Sequence, residues 1–164
     1  MNGHGQRYRY VGPAEVAAVA LSGGAPGHPI RSSADFDTWV STIAAPDLAE
    51  PFTYVVDVAG VLRLAPRRSE HVACAAGGEV LAAGEISFVR GPWGPSGWAV
   101  SEVSNQSTGY CPDPASWAAV ASALDRAELD RPYGFTSEFV FRRCPTVSTS
   151  TWSRTTTSSV ACAV

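Results

Sequence analysis

Two stretches of the chain concentrate the side chains able to do chemistry. The first runs Arg63-Leu64-Ala65-Pro66-Arg67-Arg68-Ser69-Glu70-His71 and continues through Gly77-Gly78 to Ala82-Ala83-Gly84-Glu85. The second is Glu102-Val103-Ser104-Asn105-Gln106-Ser107-Thr108-Gly109-Tyr110-Cys111-Pro112. A histidine beside a carboxylate and a hydroxyl has the makings of a general base, and His71 has both neighbours. The competing reading is a core histidine hydrogen-bonded to backbone. On a strand, adjacent residues point to opposite faces, which argues against direct teamwork between Glu70 and His71. Arg63, Arg67 and Arg68 suit a phosphate or carboxylate, or are solvated cations at strand ends. Glu85, inside an apolar run, faces solvent or is a buried acid with a raised pKa.

Asn105–Tyr110 packs amide, hydroxyl and phenol groups into a short connector, where binding residues concentrate. Asn, Ser, Thr and Gly also build ordinary turns, but Gln106 and Tyr110 are less turn-like. The candidate set is therefore His71, Glu85 and Tyr110 for catalysis, with Arg63, Arg67, Ser69, Asn105, Gln106, Ser107 and Thr108 for ligand binding. Cys111 reads as a packing thiol, because no separate base can be assigned to it. No GxGxxG, Walker loop, HExxH or GxSxG is present, which removes the common nucleotide, metalloprotease and hydrolase signatures.

The elements that must position these residues follow from periodicity. Residues 7–11 alternate as a short strand, and Pro13 opens an Ala/Val helix over 14–21. A Gly/Pro loop fills 23–29. Ser33 is the expected N-cap of a second helix with Phe36, Trp39, Val40 and Ile43 as its stripe, ended by Pro46. Phe52–Asp57 and Val61–Leu64 form a hairpin about 58–60, and Val80–Val89 a further strand bent at Gly84. Trp98–Val103 pairs back, 114–129 is an amphipathic helix, and 135–141 a last strand. Short links between consecutive strands imply an α+β fold: a mainly antiparallel sheet of five to six strands with about three helices on one face.

The chain has 164 residues, in the single-domain range, with 45% hydrophobic and 16% charged side chains. Residues 1–145 read as one domain and 146–164 as a disordered Ser/Thr-rich tail. All 12 cationic side chains are arginine, a pattern better explained by a GC-rich genome than by function. The net charge of −3 offers no field for nucleic acid or an anionic membrane. No run is long and apolar enough to span a bilayer, and the first residues lack a signal-peptide core. A cytoplasmic location with reduced thiols is the expectation, with no cofactor implied.

The tail has a second reading. Codons AGG-ACG-ACG-ACN for Arg154-Thr155-Thr156-Thr157, taken one base earlier, give Lys-Asp-Asp-Asp. Extended over Thr149–Ser159, the shifted frame yields a globular-looking segment flanked by Cys-Gly pairs, close to Cys144-Pro145. That is the layout of a zinc ribbon, so the tail is either a low-complexity linker or a frameshifted remnant of a ribbon. As it stands, the chain has no complete metal site.

The two polar blocks also resemble a domain pattern found in bacterial effector-like proteins and plant IQ-motif calmodulin-binding proteins. That pattern runs from a Tyr-Val strand through His-Ser-Ser, a Gly-rich step and Ala-Ala-Gly-Glu to Ser-Gly-His-Tyr-x-Pro before a helix. The counterparts are Tyr54-Val55, Ser69-Glu70-His71, Ala82-Ala83-Gly84-Glu85 and Ser107-Thr108-Gly109-Tyr110-Cys111-Pro112, within about residues 52–125. The chain is similar as well to an uncharacterised actinobacterial protein family carrying a C-terminal ribbon. It departs from the pattern in having His71 after Ser69 and Thr108-Gly109 where the second histidine would stand, so a paired-histidine chemistry does not carry over. No IQ motif is present, so calmodulin binding does not either. The resemblance implies a shared fold and cleft.

The expected function is a small bacterial domain whose polar cleft binds or acts on an anionic ligand, nucleotide-like molecules among the candidates. The alternative is a non-catalytic protein-interaction module contacting a protein partner through Trp93 and Trp98. Neither nucleic acid nor membrane is an expected partner.

Overall fold

The computed structural model describes residues 5–92, 94–143 and 152–156. The elements in order are α1 (Ala14–Gly23), β1 (His28–Ile30), α2 (Ser33–Ser41), α3 (Ala45–Leu48), β2 (Phe52–Asp57) and β3 (Leu62–Ala65). There follow α4 (His71–Cys74), β4 (Val80–Arg90), β5 (Trp98–Val103), α5 (Trp117–Arg126), β6 (Phe139–Arg143) and β7 (Trp152–Thr156). Strands β1–β5 form one antiparallel sheet in the order β1-β3-β2-β4-β5, and β6 pairs with β7. This is the expected α+β architecture with its antiparallel sheet.

Central strand β2 is buried along nearly its whole length because both of its faces are covered. Phe52, Tyr54 and Val56 join Phe36, Trp39 and Val40 of α2 and Val120, Ala123 and Leu124 of α5 in the main core. Val55, Ala83 and Val80 pack the other way, with Val72 and Cys74 of α4, Tyr110, and Ala17 and Ala20 of α1. Two of the three longer helices thus share one face of the sheet, while α1 and the single turn of α4 cover part of the other.

Local chemistry explains most boundaries. The α2 cap is Ser32, one residue before the expected Ser33. Its side chain accepts the Asp35 N–H, while Asp35 Oδ2 accepts the Arg31 N–H at 2.8 Å. The helix ends at Ser41, and Pro46 instead enters the first turn of α3, where a missing N–H costs nothing. Asp57 Oδ1 accepts the N–H groups of Ala59 and Val61, and Gly60 takes φ +81°, closing the expected hairpin turn.

Three expectations are corrected. Residues 7–11 make one bridge, Tyr8 with Val80, in place of a full strand. The 23–29 loop gives way at His28 to β1, whose Pro29 sits on a sheet edge. The last strand begins at Phe139 and not at Phe135, because Thr136 is held to Val103 by both its backbone N–H and its hydroxyl. Strand β4 keeps its register with β2 through Gly84, the sheet's irregularities lying between Val56 and Asp57 and between Ser87 and Phe88. Within the Ser/Thr-rich segment, Trp152–Thr156 form β7; the remainder, with Cys144 and Cys162, lies outside the described residues. No helix among the described residues is long and apolar enough to cross a membrane.

Candidate functional site

The two polar stretches meet. His71, 4% exposed at the start of α4, places Nε2 2.8 Å from the carbonyl oxygen of Gly84. A carbonyl only accepts, so Nε2 carries the proton. Nδ1 is then the acceptor for the Thr108 backbone N–H at 3.2 Å, with Thr108 Oγ1 at 3.0 Å. Thr108 Oγ1 donates in turn to Glu70 Oε2 at 2.8 Å. Glu70 and His71 are therefore both held by Thr108, the carboxylate by its hydroxyl and the imidazole by its N–H. The imidazole is a strut joining α4, β4 and the 104–110 connector, with both ring nitrogens in hydrogen bonds.

Gly84 is where a third stretch closes on this point. A methyl group there would overlap the Ser104 carbonyl oxygen and stand 3.0 Å from Tyr54 Cε1. The same carbonyl accepts the buried Tyr54 hydroxyl at 2.7 Å. Ser104 also donates its N–H to Glu85 O at 2.9 Å, so residues 84–85 and 104 are locked together by backbone. The glycine of Ala-Ala-Gly-Glu is thus needed for close approach between chain segments.

Beside this junction the sheet face opens into a groove of about 120 Å³ lined by Glu85, Ser87, Glu102, Ser104 and Gln106. Pro51 belongs to its wall and also to that of a larger cavity, about 560 Å³, whose charged lining is Asp47, Glu50, Arg67 and Arg68. Arg67 pairs with Glu50 at 2.7 Å, and Glu85 adds a longer-range attraction; both hold its guanidinium charged. The segment carrying these arginines is pinned to β2, because Thr53 Oγ1 donates to the carbonyls of Ser69 (3.1 Å) and Arg67 (3.4 Å). Thr53 stands directly opposite Glu85 in the sheet.

Of the expected site residues, Arg67, Glu85 and Gln106 line these two spaces, and His71, Thr108 and the Ser69 backbone brace them. The others lie elsewhere. Arg63 is bound to Asp57 at 2.9 Å and to the Gly27 carbonyl, near β1. Tyr110 is buried, donates to the Gly78 carbonyl at 2.7 Å and meets Tyr10 edge-to-face; burial pushes its phenol up to about 12. Asn105 is fully buried. Its amide donates to the carbonyls of Pro112 and Phe139, and its oxygen accepts the Phe139 N–H at 2.7 Å, which clamps the start of β6. Ser107 is buried with a weak contact to its neighbour's carbonyl.

Sequence reasoning missed Ser104 and Glu102 as groove residues, although the alternation of β5 and its exit into the connector pointed there. Thr53, apolar in context, carried no signal. Cys74 is buried and its thiol is pushed up to about 12 by desolvation, so it is no nucleophile. Among the described residues no group of three or more His, Cys, Asp or Glu side chains could hold a metal ion. Trp98 packs its ring against Phe36 and carries Arg90 over its face, while Trp93 lies outside the described residues.

No family model, curated protein or solved structure matches the chain.

Proposed function

We propose that this protein binds a small anionic ligand in the cavity beside Arg67 and Arg68. The observation that carries the reading is the placement of these two arginines on a concave space that shares Pro51 with the groove beside the junction of the two polar stretches. A volume of about 560 Å³ suits a small molecule. Arg67 spends one nitrogen on Glu50, leaving further donors of its fork, and Arg68 has no ion-pair partner among the described residues. The bracing by Thr53, His71 and Asn105 supports a pre-ordered rim.

Thermal denaturation with millimolar phosphate-bearing compounds tests this. Ligand at one hundred times its Kd stabilises by about 2.7 kcal/mol, a shift of several degrees that Arg68→Ala should abolish. Unchanged melting of the wild-type protein across phosphate monoesters and carboxylates would refute the reading.

One observation favours a second reading, a protein-interaction surface. Helix α1 buries no side chain and leaves Val19 73% and Leu21 45% exposed.

A further inference from the structure

The groove next to the arginine cavity has a hydrogen-bonding inventory that selects its occupant. Two carboxylates, Glu85 and Glu102, line it, and neither takes part in an ion pair among the described residues. Glu102 lies opposite Ser87 and Glu85 two positions before Ser87, so the carboxylates are diagonal neighbours on one sheet face. Diagonal positions stand about 7–8 Å apart.

Against these acceptors the groove sets donors. Ser104, 8% exposed, receives the N–H groups of Glu85 and Gln106 on its Oγ, both at 3.3 Å. Its own hydroxyl proton has no acceptor among the described residues, on a side chain that lines the groove. The Gln106 side-chain amide lines it too, without a hydrogen-bond partner there. A ligand oxygen placed in the groove gives these two donors an acceptor in place of water.

Three ligand chemistries can be compared on this inventory. A phosphate offers only acceptors and is repelled by two carboxylates. An ammonium offers only donors and leaves Ser104 unsatisfied. A pair of neighbouring hydroxyls both donates and accepts: each gives its proton to one carboxylate, and their oxygens accept from Ser104 and Gln106. Carboxylate recognition of sugar hydroxyls is a recurrent use of such acids.

We infer that the groove is a subsite for a vicinal diol, so that the ligand is a phosphorylated sugar of the ribose type, its anionic end beside Arg67 and Arg68 and its diol between Glu85 and Glu102. This rests on the proposed anion cavity. Pro51 borders both spaces and Arg67 feels the charge of Glu85, so the two lie side by side, the arrangement a two-ended ligand requires.

Calorimetric titration of the full chain with inorganic phosphate, ribose 5-phosphate and 2-deoxyribose 5-phosphate is the test. Ribose 5-phosphate should bind at least about tenfold more tightly than its 2-deoxy form, the loss expected for one charge-assisted hydrogen bond. In Glu85→Gln and Glu102→Gln, checked for native melting, that ratio should fall toward one. Equal affinity for both sugars, with Arg68→Ala weakening each, overturns the diol subsite and leaves the anion cavity standing. Absence of binding by all three compounds overturns both.

Discussion

Replacing Gly84 by alanine probes the junction on which the site is built. The added methyl would overlap the Ser104 carbonyl oxygen, a backbone atom that cannot swing aside as a flexible side chain would. Overpacking of this kind costs about 1–3 kcal/mol. Displacing Ser104 also breaks its 2.7 Å bond from the fully buried Tyr54 hydroxyl, and an unpaired buried donor costs about 1–3 kcal/mol more. Together the loss should be about 2–6 kcal/mol, which at roughly 2–4 °C per kcal/mol for a chain of this size lowers Tm by on the order of 10 °C. Urea unfolding followed by tryptophan fluorescence gives the value directly, with an unchanged m reporting that only stability moved. Tyr54→Phe isolates the hydrogen-bond part and should cost about 1–2 kcal/mol. Gly134→Ala, where a methyl meets nothing within 4 Å, should stay within about 0.5 kcal/mol. A Gly84→Ala midpoint indistinguishable from wild type would show that the approach of Ser104 to β4 is not a constraint.

Other perturbations separate bracing from binding. Asn105→Asp keeps the shape but turns a donor toward the carbonyls of Pro112 and Phe139 into an acceptor; it should destabilise by about 3 kcal/mol or more, and a neutral result in urea would disprove the clamp. His71→Ala strands the Gly84 carbonyl and the Thr108 N–H and should cost about 2–4 kcal/mol, against about 1 for Thr108→Val at an exposed position; equal effects would remove the strut role. Burial raises the Cys74 thiol from 9.0 to about 12 and the Tyr110 phenol from 10.0 to about 12. The unfolded forms therefore ionise first, and stability, complete below pH 9, should fall as pH rises toward 12. Cys74→Ala should make that decline shallower between pH 9 and 10, and an identical slope would contradict the burial argument. For the Ser/Thr-rich segment, gene codons unable to give Lys-Asp-Asp-Asp one base before Arg154–Thr157 would eliminate the shifted-frame reading.

The strands 52–57 and 98–103 were legible to the residue, the first from its run of aromatic and β-branched side chains and the second from its alternation. The α5 helix was legible from its amphipathic pattern, and its buried face is Val120, Ala123 and Leu124. Illegible were elements whose cause is tertiary. β1 exists because β3 offers it an edge, and α4 because Val72 and Cys74 fill the second core. The meeting of the stretches around 70 and 105 followed from their shared polarity. The separation of roles did not. Asn105 and Tyr110 look as chemically able as Glu85, and only their bonds to Phe139, Pro112 and Gly78 reveal them as supports. Ser104 was hidden by the opposite logic, since a serine ending a strand looks like a turn residue until its hydroxyl is found buried between two backbone N–H groups.

The claim that a phosphorylated sugar occupies the space from Arg68 to Glu102 is tested most directly by following backbone amide resonances during titration with ribose 5-phosphate. Saturable shifts should cluster at residues 67–68, 85–87 and 102–106 and leave α1 unmoved. Shifts confined to α1, or none at millimolar ligand, would contradict it.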